Sequence, residues 1–599
     1  MPGVNDFTLK IGTVNGTGSA SANGLLMQAI FRMGIPVVGK NVFPSNIQGL
    51  PTWYEIRVNK DGYTARNAPF DLMVAMNTGT YKRDVAEIAK GGWLLYDSSW
   101  PLPKALHRDD ITVLGVPLGE MCVETFGGDR ERTLMKNIAY TGALVGLIDI
   151  DMDVVMGMLH EKFSKKKHLL DSNDKALRLG YDYVKKHFKC PLPIRLEKMD
   201  KTGDHILIDG NAAAALGCVY AGATVGAWYP ITPATSLMEN FNAYCQQFRV
   251  DKETKKKNFC IVQAEDELAA AGIVVGAGWM GARAFTPTAG PGISLMSEFV
   301  GLAYYAEVPA VFFDVQRTGP STGMPTRTQQ ADILSIAHLS HGDTKHLMLF
   351  PANPEECFYL AADSFDIAER FQTPVFVLSD LDIGMNDWMC RRLKWDDARK
   401  PDRGKVLSAP DLEKIEKFYR YNATNGDGIA ARTLPGVHPK GSYFTRGSGH
   451  NKLGGYTEDS DEYREVVDRI ARKIDAAAES LPAPEIITHK GNTVGVITIG
   501  SARGAVMEAL DRLRDDGLSL DYLRVRAFPF SKAVHDFVAS HEKCIVIEMN
   551  RDAQLRSLLI LETGVHGDRL ESLLEYGGLP FGTGQIIAGI RGILEGVKA

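Results

Sequence analysis

Three short segments hold residue types that could do chemistry together. In "GAWYPITPATSLME" (226–239), Pro230 and Pro233 stiffen the start of a helix, because the residue before a proline is driven to extended geometry. Thr232 then presents its hydroxyl from a rigid turn, with Tyr229 beside it. In "VQAEDELAAAGIVVGAGWMGARAFTPTAGPGISLM" (262–296), Glu265 and Glu267 lead into an alanine- and glycine-rich helix. A carboxylate set against small apolar side chains is poorly hydrated, so its pKa should rise or it should hold a partner. The "TPTAGPG" turn, with Gly290 and Gly292, permits close backbone approach to a flat ligand or a neighbouring chain. In "EFVGLAYYAEVPAVFFDVQRTGPSTGMPTRTQQAD" (298–332), an apolar run ends on Asp314 and Arg317. A guanidinium at the carboxyl edge of a sheet, where open α/β sheets bind ligands, matches a carboxylate or phosphate. Taken singly, each feature has an ordinary structural reading: a capping threonine, solvated acids at a helix start, a salt-bridged arginine.

The elements that must position these residues alternate along the chain. "VGVITIG" (494–500) has the apolar run of a buried strand. "ARGAVMEALDRL" follows with Val506, Ala509, Leu510 and Leu513 at helical spacing, and Gly517 stops it. "LDYLRVRAFPF" and "KCIVIEMN" supply further strands, and "PAVFFDVQ", "HLMLFPA" and "TPVFVLSD" repeat the pattern between 309 and 380. Strand, helix, strand in this order predicts parallel sheets wrapped by helices. Breaks in composition divide the chain into α/β domains at 1–190, 200–385 and 485–599. The stretch "KCPLPIRLEKMDKTGDHI" (189–206) is a linker, and 386–484 is an extended linker region with a long loop at 422–463.

The first domain opens with "LKIGTVNGTGSASANGLLMQAIFRMG", a strand, a glycine turn and a helix. Gly12, Gly16 and Gly18 let the backbone turn and approach a ligand, and Ser19 could cap a helix whose N-terminus favours phosphate. The third glycine of a dinucleotide fingerprint is replaced by Ser21, and Lys40 stands where an acid would meet a ribose, which argues against NAD. A phosphate-bearing ligand and a bare tight turn both stay open.

Composition excludes other classes. Lys plus Arg number 67 against 73 Asp plus Glu, so no basic excess points to nucleic acid. No 18-residue apolar stretch free of charge suggests a membrane span, and the segment "MPGVNDFTLKIGTVNG" lacks the basic-then-apolar layout of a signal peptide. A cytoplasmic location is expected. The eight cysteines include no C-x-x-C pair and no cluster or zinc spacing, so buried free thiols are expected and no metal site is assigned to this chain.

Together, "YPITPAT", "QAEDELAAAG…TPTAGPGISLM" and "DVQRTGPSTGMPTRTQQAD", with "HLSHGDTKHLMLFPAN" (338–353) and "VIEMNRDAQLRSLL" (545–558), resemble the 2-oxoacid:ferredoxin oxidoreductases. The nearest pattern is the alpha subunit of the 2-oxoglutarate type with the gamma domain fused at its front. The resemblance covers nearly the whole chain. It implies a gamma-type Rossmann-like domain, a domain gripping the pyrimidine of thiamine diphosphate, and a transketolase C-terminal-like domain. It implies oxidative decarboxylation of a 2-oxoacid, or the reverse carboxylation, with coenzyme A and ferredoxin. Glu265, preferred to Glu267, takes the place of the family's acid on the pyrimidine nitrogen, with Tyr229, Pro230 and Gly290 beside the cofactor. Thr232 and Arg317 take the places of the residues that hold the substrate's 1-carboxylate, and Gly12, Gly16 and Gly18 face coenzyme A. A [4Fe–4S] cluster and the Mg²⁺–diphosphate site are expected on a beta subunit, in a dimer of alpha–beta heterodimers that reduces ferredoxin. For a distal substrate carboxylate the candidate cations are Arg327, Arg446, His450 and Lys452. A non-oxidative thiamine enzyme would need a diphosphate site on this chain, and "NGDGIA" (425–430) lacks the strand such a site follows. The same reaction on pyruvate or branched-chain 2-oxoacids, and a non-catalytic acyl- or nucleotide-binding scaffold, are the remaining alternatives.

Overall fold

The run Ala310–Gln316, seven residues without an exposed side chain, can exist only as a strand covered on both faces. In the computed structural model, which describes residues 3–46 and 48–596, it is a central strand of a parallel sheet. The chain forms two compact units. One comprises Met1–Ile208, Asn386–Arg392 and Phe581–Ile586; the other comprises Asp209–Met385, Leu393–Pro580 and Ile587–Ala599.

The first unit is built on a six-stranded sheet. Asp6–Val14, Phe70–Ala75, Ile88–Asp97 and Thr112–Val116 run parallel, whereas Pro51–Asn59 and Val37–Val42 continue the other edge antiparallel. The strand after the first helix, Val37–Val42, therefore does not pair with the first strand as in a dinucleotide-binding fold, because Pro51–Asn59 lies between them. Lys40, on that strand, is buried with its ammonium 4.4 Å from the Trp388 ring centre. The glycine turn forms as expected, with Gly16 and Gly18 at φ 84° and 86° before the helix Ser19–Arg32. Gly12 does not belong to it. It lies buried inside the strand, paired with Trp53 and Ala75, and a Cβ there would sit 3.0 Å from an Asp84 carboxylate oxygen. Its assignment as a ligand-facing glycine is corrected: no ligand can approach it.

The second unit contains two sheets. The seven-stranded sheet runs Ala527–Phe528, Leu347–Leu349, Pro374–Asp380, Ala310–Gln316, Ala284–Thr288, Val225–Trp228, Cys260–Gln263, parallel except for the first pair. The five-stranded sheet runs Glu485–Ile487, Asp521–Arg524, Val494–Thr498, Lys543–Glu548, Leu570–Leu574, with only its first pair antiparallel. The three mainly parallel sheets agree with the α/β class read from the sequence. The stretch beyond 485 is not a separate body, however. Its strand Ala527–Phe528 extends the larger sheet, and Ile497, Val525, Phe528 and Leu558 share one apolar core with Phe312, Phe350 and Phe376.

The region 386–484 also departs from expectation. Trp388–Arg391 is a strand paired with His205–Ile208 in the first unit, and Ser460–Ala477 is an 18-residue helix. The irregular chain between is pinned by buried and half-buried ions rather than loose. Arg432 meets Glu369 at 3.0 Å, and Arg399 meets Asp366 at 2.6 Å. Glu307, fully buried, receives Lys473 at 2.8 Å and Arg469 at 3.0 Å. Burial alone would raise the Glu307 pKa, but the Lys473 and Arg469 charges outweigh it and hold the carboxyl well below the usual range. These partners lie more than 150 residues apart, so no local pattern announces them. Removing one member of such a cluster strands the others: Glu307→Gln is expected to destabilise the second unit by roughly 3 kcal/mol, seen as an earlier transition in urea or thermal unfolding.

Candidate active site

Arg317 stands directly beyond the carboxyl end of Ala310–Gln316. It is only 8% exposed. Its Nη1 donates to the Thr232 carbonyl at 2.7 Å, while its buried Nε has no partner among the described residues. Burial lowers its pKa, and the charges of Asp332 and Glu267 oppose that drop. The guanidinium thus stays cationic with hydrogen-bonding capacity in reserve.

Thr232 is placed by the turn before the helix Thr235–Phe248. Asn211, buried on the neighbouring helix Gly210–Tyr220, donates to the Pro233 carbonyl and to Ser236 Oγ, both at 2.8 Å. The turn is therefore anchored from behind, with Thr232 half-buried. Tyr229 is 40% exposed and Pro230 is exposed.

The two acids of "QAEDE" part company. Glu265 is exposed. Asp266 caps the helix Glu267–Trp279, accepting from the Ala269 N–H at 2.7 Å. Glu267, the first helical residue, is 7% exposed. Its Cγ lies 2.8 Å from where a Gly292 Cβ would stand, and Thr288 Oγ1 would be only 2.0 Å from that Cβ. The expectation of a poorly hydrated Glu265 is corrected: the dehydrated acid is Glu267. The reason is register. The helix cap falls on Asp266, so the next side chain turns inward and the preceding one outward.

Below Arg317 lie two more acids that the sequence reading did not assign. Asp314 is fully buried, and Asp332 packs against it beneath Gly290, where a Cβ would be 2.8 Å from both Asp332 carboxylate oxygens. An acid inside "AVFFDVQ" was the one available sign. A cleft of about 590 Å³ opens above them, lined by Gly290, Arg317 and Asp332 on one side and by Asn550, Arg551 and Tyr576 on the other.

The cations proposed for a second carboxylate do not line this cleft. His450 is fully buried between Tyr421 and Tyr305, ring centres 4.1 and 4.6 Å away, and burial lowers its pKa. It is a packed neutral ring, so its assignment as a substrate cation is corrected. Lys452 pairs with Glu465 at the surface, and Arg446 lies over Phe444 and donates to the Gly454 carbonyl. Arg327 is nearer. Its carbonyl accepts from the Thr318 N–H at 2.9 Å, next to Arg317, and its guanidinium donates to Thr326.

Residues 216–393, which include Thr232, Glu267, Gly290 and Arg317, match the family described as pyruvate flavodoxin/ferredoxin oxidoreductase, thiamine-diphosphate-binding. Residues 8–183 match pyruvate ferredoxin/flavodoxin oxidoreductase. The 2-oxoacid:ferredoxin oxidoreductase subunit alpha of Saccharolobus solfataricus is 31% identical, over 82% of this chain and 76% of that protein. This chain belongs to the 2-oxoacid:ferredoxin oxidoreductase family, as an alpha subunit. Among its relatives, 2-oxoglutarate oxidoreductase subunit KorA of Mycobacterium tuberculosis is 29% identical over 90% of this chain and 82% of its own length. The fold is shared with 2-oxoglutarate:ferredoxin oxidoreductase of Magnetococcus marinus, solved with 2-oxoglutarate, coenzyme A and succinyl-CoA bound. That match has a TM-score of 0.89 at 28% identity and covers 99% of this chain and 100% of that one.

The glycine beside the buried acid gives a direct check on this oxidoreductase chain. Gly292→Ala must displace Glu267 or Thr288, whereas Gly276→Ala on the same helix pair meets nothing. A displacement near 1 Å at the site should lower turnover of the assembled enzyme about 100-fold, with stability down by roughly 1–3 kcal/mol. Gly276→Ala should keep full turnover and gain about 0.5–1 kcal/mol. Thermal unfolding and 2-oxoacid-dependent viologen reduction, measured on both variants, separate the two.

Proposed function

We propose that this chain is the alpha subunit of a 2-oxoglutarate:ferredoxin oxidoreductase. The enzyme converts 2-oxoglutarate and coenzyme A to succinyl-CoA and carbon dioxide, or runs the reverse carboxylation, with electrons passing to ferredoxin. The observation that carries the reading is the buried Arg317, tied to Thr232 and facing a cleft next to the dehydrated Glu267. Arg317 and the Thr232 hydroxyl orient the 1-carboxylate, which is catalysis by proximity. They must release it as its charge departs, so they should position the carboxylate without over-binding it.

Glu267, rather than Glu265, is the acid for the pyrimidine nitrogen of thiamine diphosphate. The residues present fit that group. A carboxylate kept from water at a helix start can hold a ring N–H, and Gly290 and Gly292 leave side-chain-free backbone beside it. When bound, the cofactor supplies the carbon that adds to the keto group and takes up the electrons left by decarboxylation. The chain's part is to hold the ring at Glu267 and the carboxylate at Arg317.

Mg²⁺, the diphosphate grip and a [4Fe–4S] cluster are assigned to a beta subunit, supported by the absence of cluster spacing among the eight cysteines. Two such alpha–beta pairs would make the complex. Coenzyme A would meet Gly16 and Gly18 of the first unit. Arg327 is the remaining candidate, among the four cations named from the sequence, for the 5-carboxylate. The similarity to the Mycobacterium and Magnetococcus enzymes supports 2-oxoglutarate over pyruvate or branched-chain 2-oxoacids.

Co-purified with its beta subunit, the chain should reduce viologen with coenzyme A faster on 2-oxoglutarate than on pyruvate; a preference for pyruvate overturns the substrate assignment. The chain alone should be inactive. Glu267→Gln should lower kcat roughly 100- to 1,000-fold, with Glu265→Gln within about threefold of wild type. The opposite ranking of the two variants overturns the choice of acid.

A further inference from the structure

We infer that Asp332, sharing one proton with Asp314, is a positioning residue for Arg317. The pair places a single negative charge beneath the guanidinium, and this charge limits how tightly the substrate carboxylate is held. The inference rests on the proposed function.

The geometry leaves the acids little choice. Both Asp314 oxygens and Asp332 Oδ2 are buried without a donor from any other group among the described residues. Asp332 cannot retreat. Its own N–H donates to Gln316 Oε1 at 3.1 Å, and Gln316 is tied through Nε2 to the Ser379 carbonyl at 3.2 Å. Gln554 staples the backbone on both sides, donating to the Ala331 carbonyl at 2.7 Å and accepting from the Leu334 N–H at 3.2 Å. Gly290 presses from above.

Two carboxylates held together away from water cannot both ionise. Burial and the Asp332 charge push Asp314 well above the usual range, and burial pushes Asp332 up to about 6. At neutral pH Asp314 is therefore the acid and donates to an ionised Asp332. The charged groups facing the pair are Arg317, which lowers the Asp332 pKa, and Glu267, reached through Arg317. Arg551 and Asp552, from across the cleft, pair with each other at 2.8 Å.

With Asp332 ionised, part of the Arg317 field is answered from below. The substrate carboxylate then meets a tempered cation, suited to a group that must leave. With Asp332 neutral, the same cation would bind the carboxylate tightly and release it reluctantly. The sign follows: as pH falls through about 6 the Asp332 charge is lost, so KM for the 2-oxoacid should fall together with kcat.

The test uses the assembled enzyme. Asp332→Asn should lower KM and kcat together, each about five- to tenfold, and flatten the pH dependence of KM near 6. Asp314→Asn keeps a donor to Asp332, so its KM and kcat at pH 7–8 should shift less than those of Asp332→Asn; an equal or larger shift overturns the inference. Infrared spectroscopy of the chain at pH 7 should show a protonated-carboxyl band in wild type that is missing in Asp314→Asn. A raised or unchanged KM in Asp332→Asn, or no such band in wild type that turns over normally, overturns the inference alone. A wild-type complex that shows the band but turns over no 2-oxoacid overturns the functional reading and the positioning role with it.

Discussion

A buried guanidinium with spare hydrogen-bonding capacity is the feature on which the second unit turns. Taking Arg317 out of water costs several kcal/mol unless opposite charge and acceptors replace the lost hydration. The protein supplies that replacement incompletely. One carbonyl accepts at 2.7 Å, while the acids Asp332 and Glu267 act through their fields, and Nε is left without a partner. Such a cation is stable enough to persist and keeps hydrogen-bonding capacity beside the cleft. A full salt bridge would have closed the site; an apolar setting would have expelled the charge.

Holding that balance requires rigid surroundings, and the sheet provides them. Arg317 and Asp314 leave a strand flanked by parallel neighbours, so their separation is fixed by backbone hydrogen bonding rather than by side-chain choice. Asn211 fixes the Thr232 turn. Gln554 and Asn550 fix the segment 330–334, Asn550 by donating to the Gln330 carbonyl at 2.9 Å. A further buried set, Gln330–Asp380–Ser501, joins the two sheets beneath the same segment. The C-terminal sheet is thus part of the site's support. The ionic clusters at Glu307 and Glu369 hold the irregular chain of 393–480 onto the same body, by charge pairing where few apolar residues were available.

The first unit shows the same economy of buried charge. Lys10, with no exposed surface, is held by Glu55 at 3.1 Å and Glu87 at 2.6 Å. Around this core the sheet adds two antiparallel strands on one side, which turns a strand–glycine–helix opening into something other than a dinucleotide fold. The glycines at 16 and 18 keep their turn geometry, exposed before the helix N-terminus.

Much of this was decided locally and could be read in order along the chain. Continuous apolar runs fixed the parallel strands, because only a doubly covered strand tolerates them. The proline turn, the alanine–glycine helix and the strand-end arginine were legible as segments by their residue types alone, and the fold joins Arg317 to the Thr232 carbonyl and sets Glu267 beside Gly292. Other features depend on partners far away in sequence. Which of Glu265 and Glu267 is dehydrated depended on where the helix cap fell. Whether His450 was a loop cation or a packed ring depended on two distant tyrosines. The mutual burial of Asp314 and Asp332, and the pinning of 386–484 by ions distant in sequence, more than 150 residues for Glu307, leave no periodic trace. Composition and spacing determine the strands, helices and turns; only the folded chain determines which charges meet without water, since the energy of a charge is set by its surroundings and not by its neighbours in sequence.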